Sequence, residues 1–193
     1  MATQTVHPRS ARERLLDAAD ELFYAEGVHT VGIDRVIERA GVAKASLYSA
    51  FGSKDGLIRA YLARRHSARQ ERVLHKLARY DTPRERLLGV FDVLGELFAE
   101  PGFHGCAFLN ASAESPRGSD VEKVSDESRA WVRSLFVDLG QAAGAREPER
   151  LAHQLVLLYD GATVAARMDR DPSAAAAARA VAAALLDAAS STT

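Results

Sequence analysis

The stretch from Ile33 to Lys54, IDRVIERAGVAKASLYSAFGSK, restricts the possible folds of this chain more than any other segment. Apolar residues recur three, four and seven positions after Ile33, which places them on one face of a short helix. Gly41 follows this face, and glycine readily takes the left-handed conformation in which a helix ends sharply. A second short helix is predicted from about Ala43 to Ala50. The stretch therefore predicts two short helices joined by a tight glycine turn.

Two interpretations of this pair of helices are open. A helix-turn-helix lays its second helix in the major groove of DNA, and here that helix can bury Leu47 and Phe51 while its other side chains face outward. The alternative is a helical hairpin that only fills a hydrophobic core. The spacing of the apolar residues does not distinguish the two, so the distribution of charge becomes important.

The chain has 193 residues and a net charge of -1, so any affinity for DNA must come from a local cluster of lysine and arginine. Residues 42–54 contain two lysines and no acidic residue. Residues 59–79 contain seven lysines and arginines against Glu71 alone. A solvated helix face is the alternative explanation for such a run. Its position directly after the second helix favours DNA binding.

Nearly every segment has helical periodicity, and no alternation typical of β-hairpins occurs. We therefore predict an all-α protein of about nine helices. Ser10 with Glu13, and Thr82 with Glu85, have the spacing of capping boxes, in which two side chains satisfy the free amides at a helix start. Ser53 is a further candidate N-cap, and the fourth helix that it begins is expected to connect two domains.

We assign residues 1–57 to an N-terminal three-helix DNA-binding domain and residues 58–193 to a C-terminal helical bundle for ligand binding and dimerisation. The last two helices, at about residues 148–190, end in a segment that is nearly all alanine. Alanine is the best helix former, so one explanation is a stable end to the bundle. The other is that small side chains allow a second copy to approach closely, and we favour a homodimer through these two helices.

Cys106 is the only cysteine, which excludes an internal disulfide and favours a reducing cytoplasm. No apolar run reaches the roughly 18 residues of a membrane span, and the N-terminus lacks the apolar core of a signal peptide. We therefore expect a cytoplasmic protein without membrane association. The apolar neighbours Ala107 and Phe108 favour a buried thiol over a redox sensor at Cys106.

Residues 32–62, GIDRVIERAGVAKASLYSAFGSKDGLIRAYL, resemble the DNA-binding domain of TetR-family transcriptional regulators at almost every position. The features that carry the resemblance are the Gly41-Val42 turn, Lys44, Ser46-Leu47-Tyr48, Phe51, Ser53-Lys54 and Leu57. The rest of the chain resembles the family only in helix number and order. The resemblance implies a homodimer that binds a palindromic double-stranded DNA operator, usually as a repressor. It also implies a small-molecule effector in the C-terminal domain that releases the DNA.

Carried over by position, the resemblance implies seven DNA contacts. Four residues on the second helix would face the bases, and three others would contact phosphates. The base-facing set is Lys44, Ala45, Ser46 and Ser49, and the phosphate set is Tyr48, Lys54 and Thr30. Thr30 is a substitute, because the family's threonine before the second helix matches Val31 here. Since only Lys44 offers a strong contact to guanine, we expect DNA shape and phosphate contacts to contribute appreciably to binding.

An effector pocket in the C-terminal bundle should be mostly apolar with a few polar anchors. The predicted apolar lining is Phe91, Leu94, Phe98, Phe103, Cys106, Phe108, Trp131, Leu135 and Tyr159, and the candidate anchors are His104, Asn110 and Arg167. Each aromatic ring is also explained by core packing. The apolar bias suggests an aromatic or aliphatic effector.

The main rival class is an enzyme. The six histidines show no metal-ligand spacing with one another or with the cysteine, and no nucleophile elbow or glycine-rich phosphate loop is present. We therefore predict no catalytic residue, metal or cofactor. The remaining alternative is a helical adaptor that binds only proteins, which would show no salt-dependent affinity for DNA.

Overall fold

The computed structural model describes residues 9–190. In this range the chain forms nine α-helices and no β-strand, which confirms the predicted fold class. The helices are α1 Ala11–Glu26, α2 Ile33–Ala40, α3 Lys44–Phe51, α4 Lys54–Leu77, α5 Pro83–Phe98, α6 Ala107–Glu114, α7 Asp120–Ala142, α8 Pro148–Asp169 and α9 Ala174–Ser190. None of these helices is both long and apolar enough to cross a bilayer.

Local capping signals determine most helix boundaries. Both predicted capping boxes form, at the starts of α1 and α5, where a hydroxyl accepts from a glutamate amide and the glutamate accepts from the cap amide. Gly41 ends α2 with φ of 62°, which is the left-handed conformation expected of it. Ser53 caps α4 by accepting from the amide of Gly56. The predicted second helix is shifted by one residue, because Ala43 is its N-cap and Lys44 its first residue.

The described residues form two hydrophobic cores. The first lies among α1, α2, α3 and the first half of α4, where Leu15, Leu47 and Leu57 are fully buried. The second lies among α5, α7, α8, α9 and the end of α4, around Phe91 and Phe136, whose ring centroids are 5.8 Å apart. Helix α4 thus contributes to both cores, in agreement with its expected role as a connector. The domain boundary at residue 57 remains a prediction.

A second connection between the cores runs through α6. This helix follows α5 in the chain, yet Ala111 on it is 1% exposed and belongs to the first core. The Tyr24 hydroxyl on α1 donates to the carbonyl of Gly105 at 3.0 Å and accepts from the amide of His104 at 3.1 Å. The segment before α6 is therefore tied to α1, a contact between residues about 80 positions apart that no local pattern predicts.

Candidate nucleic-acid interface and effector cavity

Helix α3 exposes mostly polar and small side chains, and its buried residue Leu47 packs in the first core. Leu47 is completely buried in the first core and holds the helix in place. Ser46 beside it is half-buried. The exposed residues of the helix are Lys44, Ala45, Tyr48 and Ser49. The predicted contacts on this helix thus share one short element, and small side chains let that element approach another surface closely.

Lys44 forms an ion pair with an acidic residue that was not predicted to contact it. Its Nζ donates to Oδ1 of Asp34 at 3.0 Å, which links α3 to α2. This hydrogen bond raises the pKa of Lys44, so the side chain stays cationic. Both side chains are exposed, and water and salt weaken such a pair. A phosphate or a guanine edge can therefore compete with Asp34 for the ammonium group.

The loop before α2 differs from the expected arrangement. The N-cap of α2 is Gly32, and no side chain caps this helix. Val31, matched above to the family's capping threonine, is fully buried in the first core and has no oxygen to offer. Thr30, the substitute, is exposed but lies two positions before the cap. Gly32 therefore takes the cap position, and the contact of Thr30 with a phosphate remains a prediction.

Lys54 begins α4 directly after its N-cap. It is half-buried, and its Nζ lies 3.4 Å from the carbonyl oxygen of His29 in the loop before α2. Desolvation lowers the pKa of Lys54, while the nearby carboxylates of Asp55 and Glu114 act in the opposite direction. The lysine therefore holds the start of α4 against the loop that carries Thr30, so the two predicted phosphate contacts are structurally linked.

Arginines around the helix-turn-helix mainly hold it together. Arg14 on α1 donates to the carbonyl of Gly41 at 3.1 Å, so α1 supports the turn itself. Arg39 on α2 pairs with Glu21 on α1 at 2.7 Å. These contacts bring together residues 18 to 27 positions apart, so they depend on how α1 packs on α2.

The basic run of residues 59–79 was interpreted above as favouring DNA, and the structure shows that most of its charges are paired within the protein. Five of its seven cations form intramolecular ion pairs within the described residues. These are Arg59 with Asp120, Arg64 with Asp17, Arg65 with Asp20, Arg72 with Glu100 and Lys76 with Glu96. Helix α4 leads from α3 toward the second core, so its cations meet acids on α1, α5 and α7 and Glu100 just after α5. Lys44 and Lys54 add positive charge at α3 and at the start of α4.

A cavity of about 430 Å³ lies where the two cores meet. Its walls come from α1, α4, α5, α8 and the start of α6, and most of its lining is apolar. The apolar wall consists of Val73, Val90, Val93, Leu94 and Leu97. This volume lies within the roughly 300–1,000 Å³ range of small-molecule sites.

Four of the twelve predicted effector contacts line this cavity: Leu94, Cys106, Phe108 and Tyr159. The other eight do not line it, and their contact with an effector remains a prediction: Phe91, Phe98, Phe103, His104, Asn110, Trp131, Leu135 and Arg167. Core packing explains most of the rings, as in the pair Phe98–Phe103 with centroids 5.0 Å apart. Asn110 is satisfied by protein alone, since it donates to the His104 carbonyl at 3.1 Å and accepts from Arg167 at 2.9 Å.

The polar side chains on the cavity wall were not among the predicted effector contacts. Tyr24 from α1 lines it together with Arg65, Arg69 and Arg72 from α4. The three arginines are four and three positions apart, which is the spacing of one helix face, so their alignment was readable from the sequence. That this face meets a cavity was not, because it depends on where α5 and α8 pack.

Known proteins provide an independent comparison. Residues 15–61 match the model of the family described as bacterial regulatory proteins, tetR family. SCO4454, a TetR-family transcriptional regulator from Streptomyces coelicolor, has a structure that superposes with a TM-score of 0.88. It is 33% identical to this chain, and the match covers 94% of this chain and 96% of that one.

Two further relatives match over different lengths. The repressor NemR from Escherichia coli K12 is 27% identical over 169 residues, or 82% of this chain and 85% of NemR. The regulator Rv1255c from Mycobacterium tuberculosis H37Rv is 35% identical over 78 residues, so the match spans 39% of its length. All of these are transcriptional regulators and not enzymes, in agreement with the prediction from sequence. The chain belongs to the TetR family of transcriptional regulators.

Proposed function

We propose that this chain is a cytoplasmic, dimeric repressor that binds a palindromic DNA operator and releases it when a small, mostly apolar effector binds. The observation that carries this proposal is the exposed surface of α3, with Lys44, Ala45 and Ser49 presented on an anchored helix. The family membership supports DNA binding, and the name of the NemR relative supports repression. A helix-turn-helix regulator places such a helix in the major groove.

Dimerisation through α8 and α9 is supported by apolar side chains that these helices leave exposed. On α8 they are Leu157, Val164 and Met168, with exposed fractions of 58%, 45% and 75%. Gly161 lies between them on the same face, and a side chain there would meet nothing within 4 Å. On α9 the exposed stripe is Ala177, Val181, Ala184 and Ala188. Small and apolar residues at helical spacing on two adjacent helices suit a two-fold contact with a second copy.

The effector part of the proposal is supported by the position of the cavity. Its walls include Tyr24 on α1 and the Gly105-Cys106 segment before α6, so a ligand there touches elements of both cores. At the far end of α6, Glu114 accepts from the amide of His29 at 2.8 Å, in the loop before α2. A ligand that binds more tightly when the two α3 helices of a dimer are wrongly spaced for DNA shifts the protein toward that arrangement. Operator affinity then falls by the ratio of the ligand's affinities for the two arrangements.

DNA binding is tested by fluorescence anisotropy with an operator selected from a random-sequence pool and with a scrambled duplex, at several salt concentrations. We expect Tyr48→Phe and Lys54→Ala to weaken binding to both duplexes, since phosphate contacts carry no sequence information. Lys44→Ala should also reduce the preference for operator. Lys123→Ala is the matched control, because Lys123 is an exposed lysine paired with an aspartate on α7. A wild-type protein without salt-dependent DNA binding would instead support the helical adaptor.

Dimerisation is tested by analytical ultracentrifugation. Leu157→Glu and Met168→Glu should convert the dimer to a monomer, because each places a charge in the proposed contact. Leu74→Glu is the control, since Leu74 on α4 is also 55% exposed but lies outside α8 and α9. A monomeric wild type, or equal effects of all three substitutions, would refute this contact.

A further inference from the structure

Arg69 differs from the other arginines on the cavity wall. None of the ion pairs found within residues 9–190 includes it. Its neighbours' ion pairs are Arg64 with Asp17 at 2.7 Å, Arg65 with Asp20 at 2.8 Å and Arg72 with Glu100 at 2.7 Å. The two acids on the wall of the large cavity, Asp20 and Glu100, are thus already neutralised. Arg69 remains as a positive charge without a carboxylate partner.

The guanidinium group of Arg69 is held in a defined orientation. Its Nη2 donates to the Ser128 carbonyl at 3.1 Å and also to the Ser128 hydroxyl. Its Cζ lies 4.7 Å from the ring centroid of Phe108 and 5.6 Å from that of Trp131. Stacking on rings leaves the edge of a guanidinium free to hydrogen-bond.

One donor on that edge is unused. The Nε of Arg69 is buried and has no hydrogen-bond partner among the described residues. Buried donors in folded proteins are nearly always paired, and an unpaired one needs a specific explanation. This unused donor adds to the uncompensated charge of Arg69, and guanidinium groups bind carboxylates with short, charge-assisted hydrogen bonds.

Arg69 lies at the junction of two cavities. It lines the 430 Å³ cavity and an adjoining one of about 190 Å³, and Tyr159 lines both as well. Desolvation raises the pKa of Tyr159, while the charge of Arg69 and a side-chain hydrogen bond with Arg69 act in the opposite direction, so the hydroxyl remains neutral and can donate to a ligand. Beyond these polar groups, the wall of the large cavity is formed by aliphatic side chains of α5, including Val90, Val93 and Leu94. The site therefore offers hydrogen-bond donors at the junction and hydrocarbon along α5.

We propose that the effector is an apolar monocarboxylate, with its carboxylate at Arg69 and Tyr159 and its hydrocarbon part against α5. One negative charge balances Arg69, which among the arginines on the wall of the large cavity is the one without an ion pair to a described residue, whereas a second negative charge would be buried without a partner. A neutral analogue would leave the Arg69 charge uncompensated, and a cation would be repelled by it. This proposal deepens the effector-binding part of the proposed function and rests on it.

The test uses the chain's single tryptophan, Trp131, as a fluorescent reporter beside Arg69. Octanoate and 1-octanol are titrated into the full-length protein, since they share an alkyl chain and differ in charge. We expect octanoate to bind at least about tenfold more tightly, given a charge-assisted hydrogen bond in a buried site. Octylamine should not bind. Wild-type protein that binds octanoate no more tightly than 1-octanol overturns the proposal, whatever the variants do.

Variants then test whether Arg69 is responsible. Arg69→Gln should remove the preference for octanoate while leaving 1-octanol binding unchanged, and Tyr159→Phe should reduce it severalfold. Arg59→Gln is the matched control, because Arg59 lies on the same helix, is ion-paired with Asp120 and lines neither cavity. If the Arg69→Gln variant is folded by circular dichroism and still binds octanoate more tightly than 1-octanol, the assignment of the carboxylate to Arg69 is refuted. Operator binding without ligand is measured separately, so a failure of DNA binding and a failure of carboxylate recognition are distinguishable.

Discussion

The substitution Tyr24→Phe tests the connection between the two cores most directly. It deletes one hydroxyl and keeps the ring, including the Arg65 guanidinium that lies 3.7 Å from the ring centroid. The hydroxyl makes two hydrogen bonds of ordinary length, to the carbonyl of Gly105 and from the amide of His104. A change in the variant therefore reports mainly on these two bonds, with a smaller contribution from the side-chain hydrogen bond between the hydroxyl and Arg65.

The magnitude follows from the exposure of the two partners. Gly105 is buried, so its carbonyl would be left without a partner at a cost of about 1–3 kcal/mol. His104 is exposed, so water can replace the lost acceptor at little cost. We expect the free energy of unfolding to fall by about 2 kcal/mol. For a domain of this size, that corresponds to a decrease in melting temperature of roughly 4–8 °C.

Urea denaturation at one fixed protein concentration measures the loss, because unfolding of a dimer depends on concentration. Hydrogen exchange of the His104 amide provides a local readout and should become faster. Tyr80→Phe is the matched control, since its hydroxyl bonds to Asp92 at 2.8 Å within the second core. If the proposed effector coupling is correct, ligand-induced release of operator should weaken in Tyr24→Phe and not in Tyr80→Phe. Unchanged stability together with unchanged His104 exchange would refute the reasoning.

Three other substitutions give separate predictions. Asp34→Asn should raise operator affinity, since it frees Lys44 and removes a negative charge near the phosphates. Fluorescence anisotropy measures this affinity. An equal gain in a Lys44→Ala background would rule out competition between Asp34 and DNA for Lys44. Ala43→Ser should raise the free energy of unfolding by about 1 kcal/mol, because it supplies the missing side-chain cap of α3. Urea denaturation measures this change, and no gain would mean that the cap does not form. Desolvation lowers the pKa of His66 from its ordinary 6.5, so the unfolded chain takes up the proton first and stability should fall as pH decreases through that value. His66→Gln should flatten this dependence in denaturation curves collected between pH 5 and 8, and an unchanged slope would exclude His66 as its source.

Local sequence signals predicted the elements well, and the reason is that these signals act over one helical turn. The two capping boxes and Gly41 each depend on groups three or four positions apart, so they operate identically in any fold that contains the helix. The apolar spacing from Ile33 likewise predicts a buried face without reference to what covers it. The cap of α2 could not be predicted in this way, because Thr30, Val31 and Gly32 are adjacent and the backbone path determines which one takes the cap position.

Long-range pairing is what local sequence signals cannot predict. The basic run of α4 suggested a DNA surface, yet most of its charges pair with acids up to 61 residues away. The same limitation applies to the cavity, because aromatic residues such as Phe108 and Tyr159 line it while others fill the core. Phe91 and Phe136 fill the core, while Arg69 and Tyr24 reach the cavity.

The sequence by itself determined that the chain is helical over the residues that the structure describes, and that Ile33 to Lys54 contains two short helices joined by a glycine turn. These properties follow from periodicity, caps and glycine conformation, which are local. Only the tertiary structure decided which charges are neutralised and which remain free, because a charge in an ion pair and an unpaired one are identical in sequence. That distinction separates Arg69 from its paired neighbours and makes it the candidate ligand contact.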